Sequence, residues 1–327
     1  MIKKLSVENF KSIKKLDIEC GRINVFVGEP NSGKSNILES LAFFSFLESH
    51  GGGTLKDFKD FVRLESMSDL FYDRTLDEEV TLKADEINIR VKFENGTFMC
   101  YYKGEVIGNF NDTGQYYRGL QAVPELQFFK YYKFKIMEKF SSKLSNFLLS
   151  PYGENLPAIL LTRKDLKQLS NKIFKKFGFR LMINPTENKI DIVKEQEENI
   201  FIAYPYHLTS DTLQRVIFYL AAIKSNANST LIFEEPEAKT FPYYTKYLAE
   251  TIALDEKNQY FISTHNPYML LSVLEKAKKG ELNVFLVYFE DYRTKVRKLS
   301  DKEITEVMDE GIDLFLNLEM FIERFKK

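Results

Sequence analysis

Apolar and polar positions alternate with period two over residues 5–10 and 16–20, and residues 23–27 form a short β-branched and aromatic run, so the chain is expected to open with three strands. Residues 36–47 are apolar at helical spacing. Gly51, Gly52 and Gly53 break that helix, and irregular, charged sequence follows to about Asp77. From residue 79 to 110 the period returns to two. Runs at 80–83, 87–93 and 97–102 are separated by turns such as Asn95-Gly96 and Lys103-Gly104, which predicts antiparallel hairpins. Helical spacing is read from about 126 to 149, after a loop that holds Pro124, and again from 156 to 177. A hairpin over 179–184 and 189–193 follows. The remainder alternates: helix 209–224, strand 231–233, helix 243–254, strand 259–263, helix 267–278, strands 283–288 and 294–299, and a mainly helical end over 305–325.

This order predicts an α/β protein with a mixed core sheet, an antiparallel β-subdomain and an inserted helical lobe. The chain divides on this reading into a lobe at 1–110, a helical insert with a hairpin at 111–205, and a region at 206–327, all parts of one composite unit. No heptad pattern persists over several turns, so no long coiled-coil arm is expected. At 327 residues, with 44% hydrophobic and 28% charged, the chain can bury a large core. A net charge of −1 gives no dedicated nucleic-acid surface, although lysine-rich stretches at 164–176 and 276–279 are local candidates. No apolar run reaches the roughly 18 residues of a membrane span. The N-terminus alternates like a strand and lacks a signal-peptide core, and Cys20 and Cys100 alone make no metal or disulfide framework. A cytoplasmic protein is expected.

The chemistry starts at Gly28-Glu29-Pro30-Asn31-Ser32-Gly33-Lys34-Ser35, a complete G-x-x-x-x-G-K-[ST] phosphate loop between a predicted strand and the helix opened by Asn36. Gly28 and Gly33 let backbone N–H groups turn inward around phosphate oxygens, and the helix N-terminus adds its dipole. Lys34 is expected to reach the β- and γ-phosphates of ATP, and the Ser35 hydroxyl to ligate Mg²⁺.

Residues 229–237 form an apolar strand ending in Glu234-Glu235-Pro236-Glu237. Beside a phosphate loop, Glu234 is assigned to the metal and Glu235 to the attacking water. A second strand ends at Thr264-His265-Asn266-Pro267, where His265 can sense the γ-phosphate. Ser210-Asp211 lies just ahead of the apolar stretch 216–223 of the helix expected over 209–224. Ser210 is a good N-cap, and the same exposed N–H groups can face the γ-phosphate of a second subunit's ATP.

In this order the motifs resemble the ABC-type ATPase heads of the RecF, SMC and OLD group along nearly the whole chain. The Glu-Glu-Pro-Glu and Thr-His-Asn-Pro forms are most similar to the OLD-like branch. Asn9-Phe10-Lys11-Ser12 is similar to the turn with which such heads begin, which implies that Lys11 and Ser12 approach the nucleotide. Pro151-Tyr152-Gly153-Glu154-Asn155-Leu156 is similar to a segment of their helical lobe. The resemblance implies an ATP-linked homodimer in which two heads sandwich two ATP molecules and separate on hydrolysis. It further implies DNA as a partner, and a separate nuclease or effector subunit is expected, since the acidic nuclease domain that OLD proteins carry after the head is not read in the sequence. Thr212 stands where the signature has Gly, and Ala238-Lys239-Thr240-Phe241-Pro242 lacks the usual His-Pro ending. Gln121 and Gln127 are the candidates for the loop glutamine. These departures leave a weakly or non-hydrolysing, ATP-dependent scaffold that recruits a partner protein as the alternative to an ATPase. A phosphate-loop kinase or GTPase is the remaining reading, and no guanine-selecting Asn-Lys-x-Asp pattern supports it.

Overall fold

The computed structural model describes residues 1–49, 57–118, 123–197 and 200–326. The predicted break at Gly51–Gly53 and the candidate Gln121 lie outside these residues. In chain order the elements are β1 (Lys4–Phe10), β2 (Ile13–Glu19), β3 (Ile23–Val27), α1 (Lys34–Ser49), β4 (Val80–Ala84), β5 (Ile87–Glu94), β6 (Thr97–Tyr102), β7 (Glu105–Phe110), β8 (Tyr116–Arg118) and β9 (Phe129–Tyr132). They continue with α2 (Leu156–Thr162), α3 (Lys164–Lys175), β10 (Arg180–Asn184), β11 (Lys189–Glu197), β12 (Ile200–Pro205), α4 (Asp211–Ser225), β13 (Thr230–Glu234), α5 (Pro242–Leu254), β14 (Gln259–Ser263) and α6 (Pro267–Lys276). The last are β15 (Leu282–Glu290), β16 (Arg293–Lys298), α7 (Asp301–Asp309) and α8 (Leu318–Lys326).

The central sheet has the order β16-β15-β3-β14-β13-β9, parallel except for β16. Its inner strands are buried on both faces, so they read as continuous apolar runs, as parallel strands do. Ile23, Val25 and Val27 of β3 pack into one core with α4, α5 and α6, while Phe26 joins a second core with α1 and the antiparallel sheet. In that second sheet, β2-β1-β4-β5-β6-β7-β8, the hairpins expected over 79–110 are present. A small sheet β10-β11-β12 adds a third strand to the expected hairpin.

The helix expected over 126–149 is not there. Residues 129–132 instead form β9, the edge strand parallel to β13, and irregular backbone follows to α2. A short unbroken apolar run does not distinguish a buried strand from a helix segment by period. Here the two faces decide: Tyr131 enters one core and Tyr132 the other. Asn155 holds the irregular stretch in place, accepting from Leu149 N at 2.8 Å and donating to Phe147 O at 3.1 Å. The helix expected over 156–177 is interrupted at Arg163, and the expected terminal helix divides into α7 and α8. A capping box of Ser300 and Glu303 starts α7 before the predicted point.

Candidate functional site

In an open parallel sheet, ligands are held beyond the carboxyl ends of the strands. Register places Glu234 level with Ser263 and Ser263 level with Phe26, so the segments leaving β13, β14 and β3 emerge side by side. These segments carry the acid pair, His265 and the phosphate loop.

The loop is shaped by two glycines. A Cβ on Gly28 would stand 2.0 Å from Val287 O. One on Gly33, at φ +101°, would stand 1.9 Å from Thr294 Oγ1. Asn31 adopts φ 61°, a left-handed backbone that Asn tolerates. Lys34 is buried, and its Nζ donates to the carbonyls of Gly28 at 2.8 Å and Glu29 at 2.7 Å and to Ser32 Oγ at 3.3 Å. Burial pushes the Lys34 ammonium down to about 8, with Glu235, Glu234 and Glu29 opposing the shift. Glu29 and Pro30 are exposed, while Ser35 and Asn36 follow Lys34 in the first turn of α1.

The N-terminal turn reaches the loop through Ser12. Its Oγ accepts from Asn36 Nδ2 at 2.6 Å and lies 2.6 Å from Thr294 Oγ1, so Ser12 joins α1 to β16. Lys11, held at φ 52°, pairs with the buried Glu39 of α1 and donates to Arg63 O.

Glu234 is held from two sides. Arg63 donates to Glu234 Oε1 at 2.8 Å and to Glu39 Oε1 at 2.7 Å, and Tyr131 OH donates to Glu234 Oε2 at 3.3 Å. Glu235 takes φ 43°, a conformation costly for a non-glycine residue and concentrated at functional sites. Its Oε1 lies 3.3 Å from His265 Nε2. Partial burial, then the Lys34 charge, hold the His265 imidazole below its ordinary value, against the pull of Glu235. The imidazole is therefore neutral at pH 7 and able to donate or accept one hydrogen bond. Ser35 and Glu234 supply a hydroxyl and a carboxylate, the hard oxygen donors that suit Mg²⁺.

Ser210 immediately precedes α4, but its side chain makes no capping bond, so the capping role expected of it is not taken up. The Ser210 side chain is exposed; Asp211 Oδ1 is buried without a hydrogen-bond partner among the described residues. Thr212 donates to Lys239 O at 3.0 Å, tying the start of α4 to the loop that follows the acids. The two departures in the sequence thus meet each other. Around them runs an apolar groove of about 800 Å³ whose walls include Phe177, Leu208, Ser210, Phe241 and Tyr243. Leu208, Phe241 and Tyr243 are 72%, 65% and 56% exposed, which makes a contiguous apolar surface beside Ser210.

Gln127 does not join the site. It precedes β9, at the amino end of the parallel strands, whereas the phosphate loop lies at their carboxyl ends. Sequence reasoning missed Arg63, Tyr131, Glu39 and Thr294. Only Glu39 carries a local signal, an acid on the otherwise apolar face of α1.

A family model for the AAA ATPase domain (AAA_15) matches residues 1–177, just over half of the chain, and includes the phosphate loop. The chain belongs to this AAA ATPase family. Among curated proteins, an uncharacterized protein of Methanocaldococcus jannaschii is 32% identical over 108 residues, 30% of this chain and 49% of that protein. The DNA replication and repair protein RecF of Clostridium perfringens is 32% identical over 117 residues, 34% of this chain and 31% of that protein. The chain therefore spans about half the length of the first of these relatives and less of the second. Solved Smc heads share its fold. An Smc head bound to the C-winged-helix domain of ScpA aligns with TM-score 0.56 and 20% identity, covering 92% of this chain and 99% of that one. The Pyrococcus furiosus Smc head with an extended coiled coil, bound to the C-terminal domain of ScpA, gives 0.57 and 16%, covering 95% and 99%. The fold is thus that of a phosphate-loop, ABC-type ATPase head.

Proposed function

We propose that this chain binds and hydrolyses ATP with Mg²⁺, dimerises around ATP, and drives or gates a DNA-directed process, repair or defence, together with a separate effector. The observation that carries the reading is the convergence of Lys34, Glu234, Glu235 and His265 at the carboxyl ends of three adjacent parallel strands. In this reading Lys34 and the loop N–H groups hold the β- and γ-phosphates, and Ser35 and Glu234 hold the metal. Mg²⁺ held there would supply charge neutralisation to the phosphates. Glu235 accepts a proton from, or orients, the attacking water, and neutral His265 donates toward the γ-phosphate.

The dimer is supported by the exposed start of α4 at Ser210 and by the apolar groove beside it, where a second copy would meet the first. The partner proteins in the Smc structures and the RecF relatives support an effector and DNA. The lysine-rich face of α3 is where DNA backbone would lie, and added salt would weaken that contact steeply. Affiliation with OLD-like heads rests on the Glu234-Glu235-Pro236-Glu237 and Thr264-His265-Asn266-Pro267 forms. Among the described residues no helix is long and apolar enough to cross a membrane.

One observation favours the scaffold alternative: Arg63 occupies the Glu234 carboxylate that the metal requires. The deciding experiment compares wild type with Glu235→Gln. Mg²⁺-dependent phosphate release lost in the variant, together with an ATP-dependent rise in the variant's solution mass, is the expected result. Release that persists in the variant refutes the assignment of Glu235. Absence of release in the wild type, alone and with DNA, favours the scaffold.

A further inference from the structure

The third acid of the 234–237 sequence has no part in the chemistry above, yet it is the most deeply buried of the three. Glu237 is 4% exposed and Thr264 is fully buried. The Thr264 hydroxyl donates to Glu237 Oε1, while Thr264 Oγ1 itself accepts from Asn266 N at 3.0 Å. The Thr264 N–H donates to Phe26 O, at 3.2 Å, in the strand that feeds the phosphate loop. Asn266 then caps α6 by accepting from Tyr268 N at 2.8 Å and Met269 N at 3.3 Å. Three segments with separate chemical roles are therefore joined at one residue, two through its hydroxyl and one through its backbone N–H.

We propose that Glu237 and Thr264 form a buried positioning pair that sets the separation of Glu235 from His265. The inference rests on the ATPase reading for its consequence in turnover, but not for its geometry. Glu237 lies two residues beyond Glu235, and Thr264 directly precedes His265. The segment between the acids is short and tightly folded. Ala238 N donates to Glu235 O at 3.0 Å and Thr240 N to Glu237 O at 2.9 Å, with Glu235 and Lys239 both at positive φ. A second tie, from Glu235 N to Ser263 O at 3.1 Å, fixes the backbone of the loop but not the direction in which its acids leave.

The electrostatics agree with a strained but deliberate placement. Burial raises the Glu237 carboxyl to about 7, and Glu235 adds to the rise. The Thr264 hydroxyl and the N–H groups of Glu237 and His265 draw it back. From α4 the buried Tyr219 phenol faces the same region and is itself raised by burial and by Glu237. Glu237 Oε2 has no partner among the described residues. A buried carboxyl in such surroundings costs stability, and a hydrophobic residue of the same size would remove that cost. What the carboxylate supplies in return is a fixed direction for the two groups that flank it.

The test uses Glu237→Ala and the near-isosteric Thr264→Val, with Glu237→Gln and Thr264→Ser as conservative partners. Turnover is expected to fall at least about tenfold in the first two, with nucleotide Kd changed by less than about threefold. Glu237→Gln and Thr264→Ser retain an acceptor or a hydroxyl and should recover most of the rate. An unchanged rate, a Kd that moves in step with the rate, or failure of the conservative variants to recover it would each overturn the proposal.

A second readout is independent of hydrolysis. The chain has 3 histidines, so the His265 imidazole can be followed by NMR titration. Because Glu235 raises its pKa, swinging Glu235 away should lower it in Thr264→Val or Glu237→Ala and leave it in place in the conservative pair. A His265 titration unmoved in both disruptive variants overturns the pair even if the protein proves to be a scaffold. Loss of turnover on Glu235→Gln, measured in parallel, tests the ATPase reading separately.

Discussion

Lys34 gives the sharpest quantitative expectation. Burial lowers its ammonium from 10.5 to about 8, while three carboxylates pull it the other way. A nucleotide triphosphate placed against Nζ favours the charged form, so above pH 8 binding must take up a proton. Affinity should then fall about tenfold for each pH unit above 8, or 1.4 kcal/mol per unit. Stability should change in the opposite sense. Below pH 8 the folded protein holds a charge that the unfolded chain keeps in water, a cost of about 3 kcal/mol for the full shift. That cost disappears between pH 8 and 10.5, so the Lys34 contribution becomes more favourable as pH rises. The assay is calorimetric titration with a non-hydrolysable ATP analogue from pH 7 to 9.5, beside thermal melts of the free protein. Lys34→Arg keeps its charge throughout and should abolish the slope in affinity. A flat affinity between pH 7 and 9.5 in the wild type, or the same slope in Lys34→Arg, would refute the argument.

Three further outcomes follow from particular contacts. Gly33→Ala meets both a positive φ and the Thr294 side chain, so it should cost more than about 2 kcal/mol. Gly96→Ala, also at positive φ but with open space around it, should cost about 1 kcal/mol in chemical denaturation. Asn155→Ala strips partners from two backbone groups in the irregular stretch before α2 and should destabilise by about 1–3 kcal/mol, visible as a lower denaturation midpoint at constant slope. Phe241→Glu, at a 65% exposed position, should leave folding within about 0.5 kcal/mol yet abolish the ATP-dependent rise in mass of the Glu235→Gln background. An undiminished dimer in that double variant would remove the groove from the proposed interface.

The sequence by itself determined everything that a short stretch of backbone can enforce. A strand, two glycines, Lys34-Ser35 and an apolar helix specify a phosphate loop because the required φ values and N–H directions are local. The strands β13 and β14, with acids and a histidine at their ends, were legible for the same reason, as were the Asn95-Gly96 and Lys103-Gly104 hairpins. Other features depend on residues far apart in the chain, and no local period encodes them. Arg63 reaches Glu234 across 171 positions, and Ser12 meets Thr294 across 282. Four residues of β9 reveal their state only through the two cores they enter, since a run so short satisfies a helix or a strand equally. Ser210 and Thr212 show the division within a single motif. Composition marks the start of α4, but whether a hydroxyl caps the helix, bonds Lys239 O or stays exposed is settled by the packing of distant segments against it. Tertiary structure decides such questions because each buried polar group must find a partner, and the partner that is near in space need not be near in sequence.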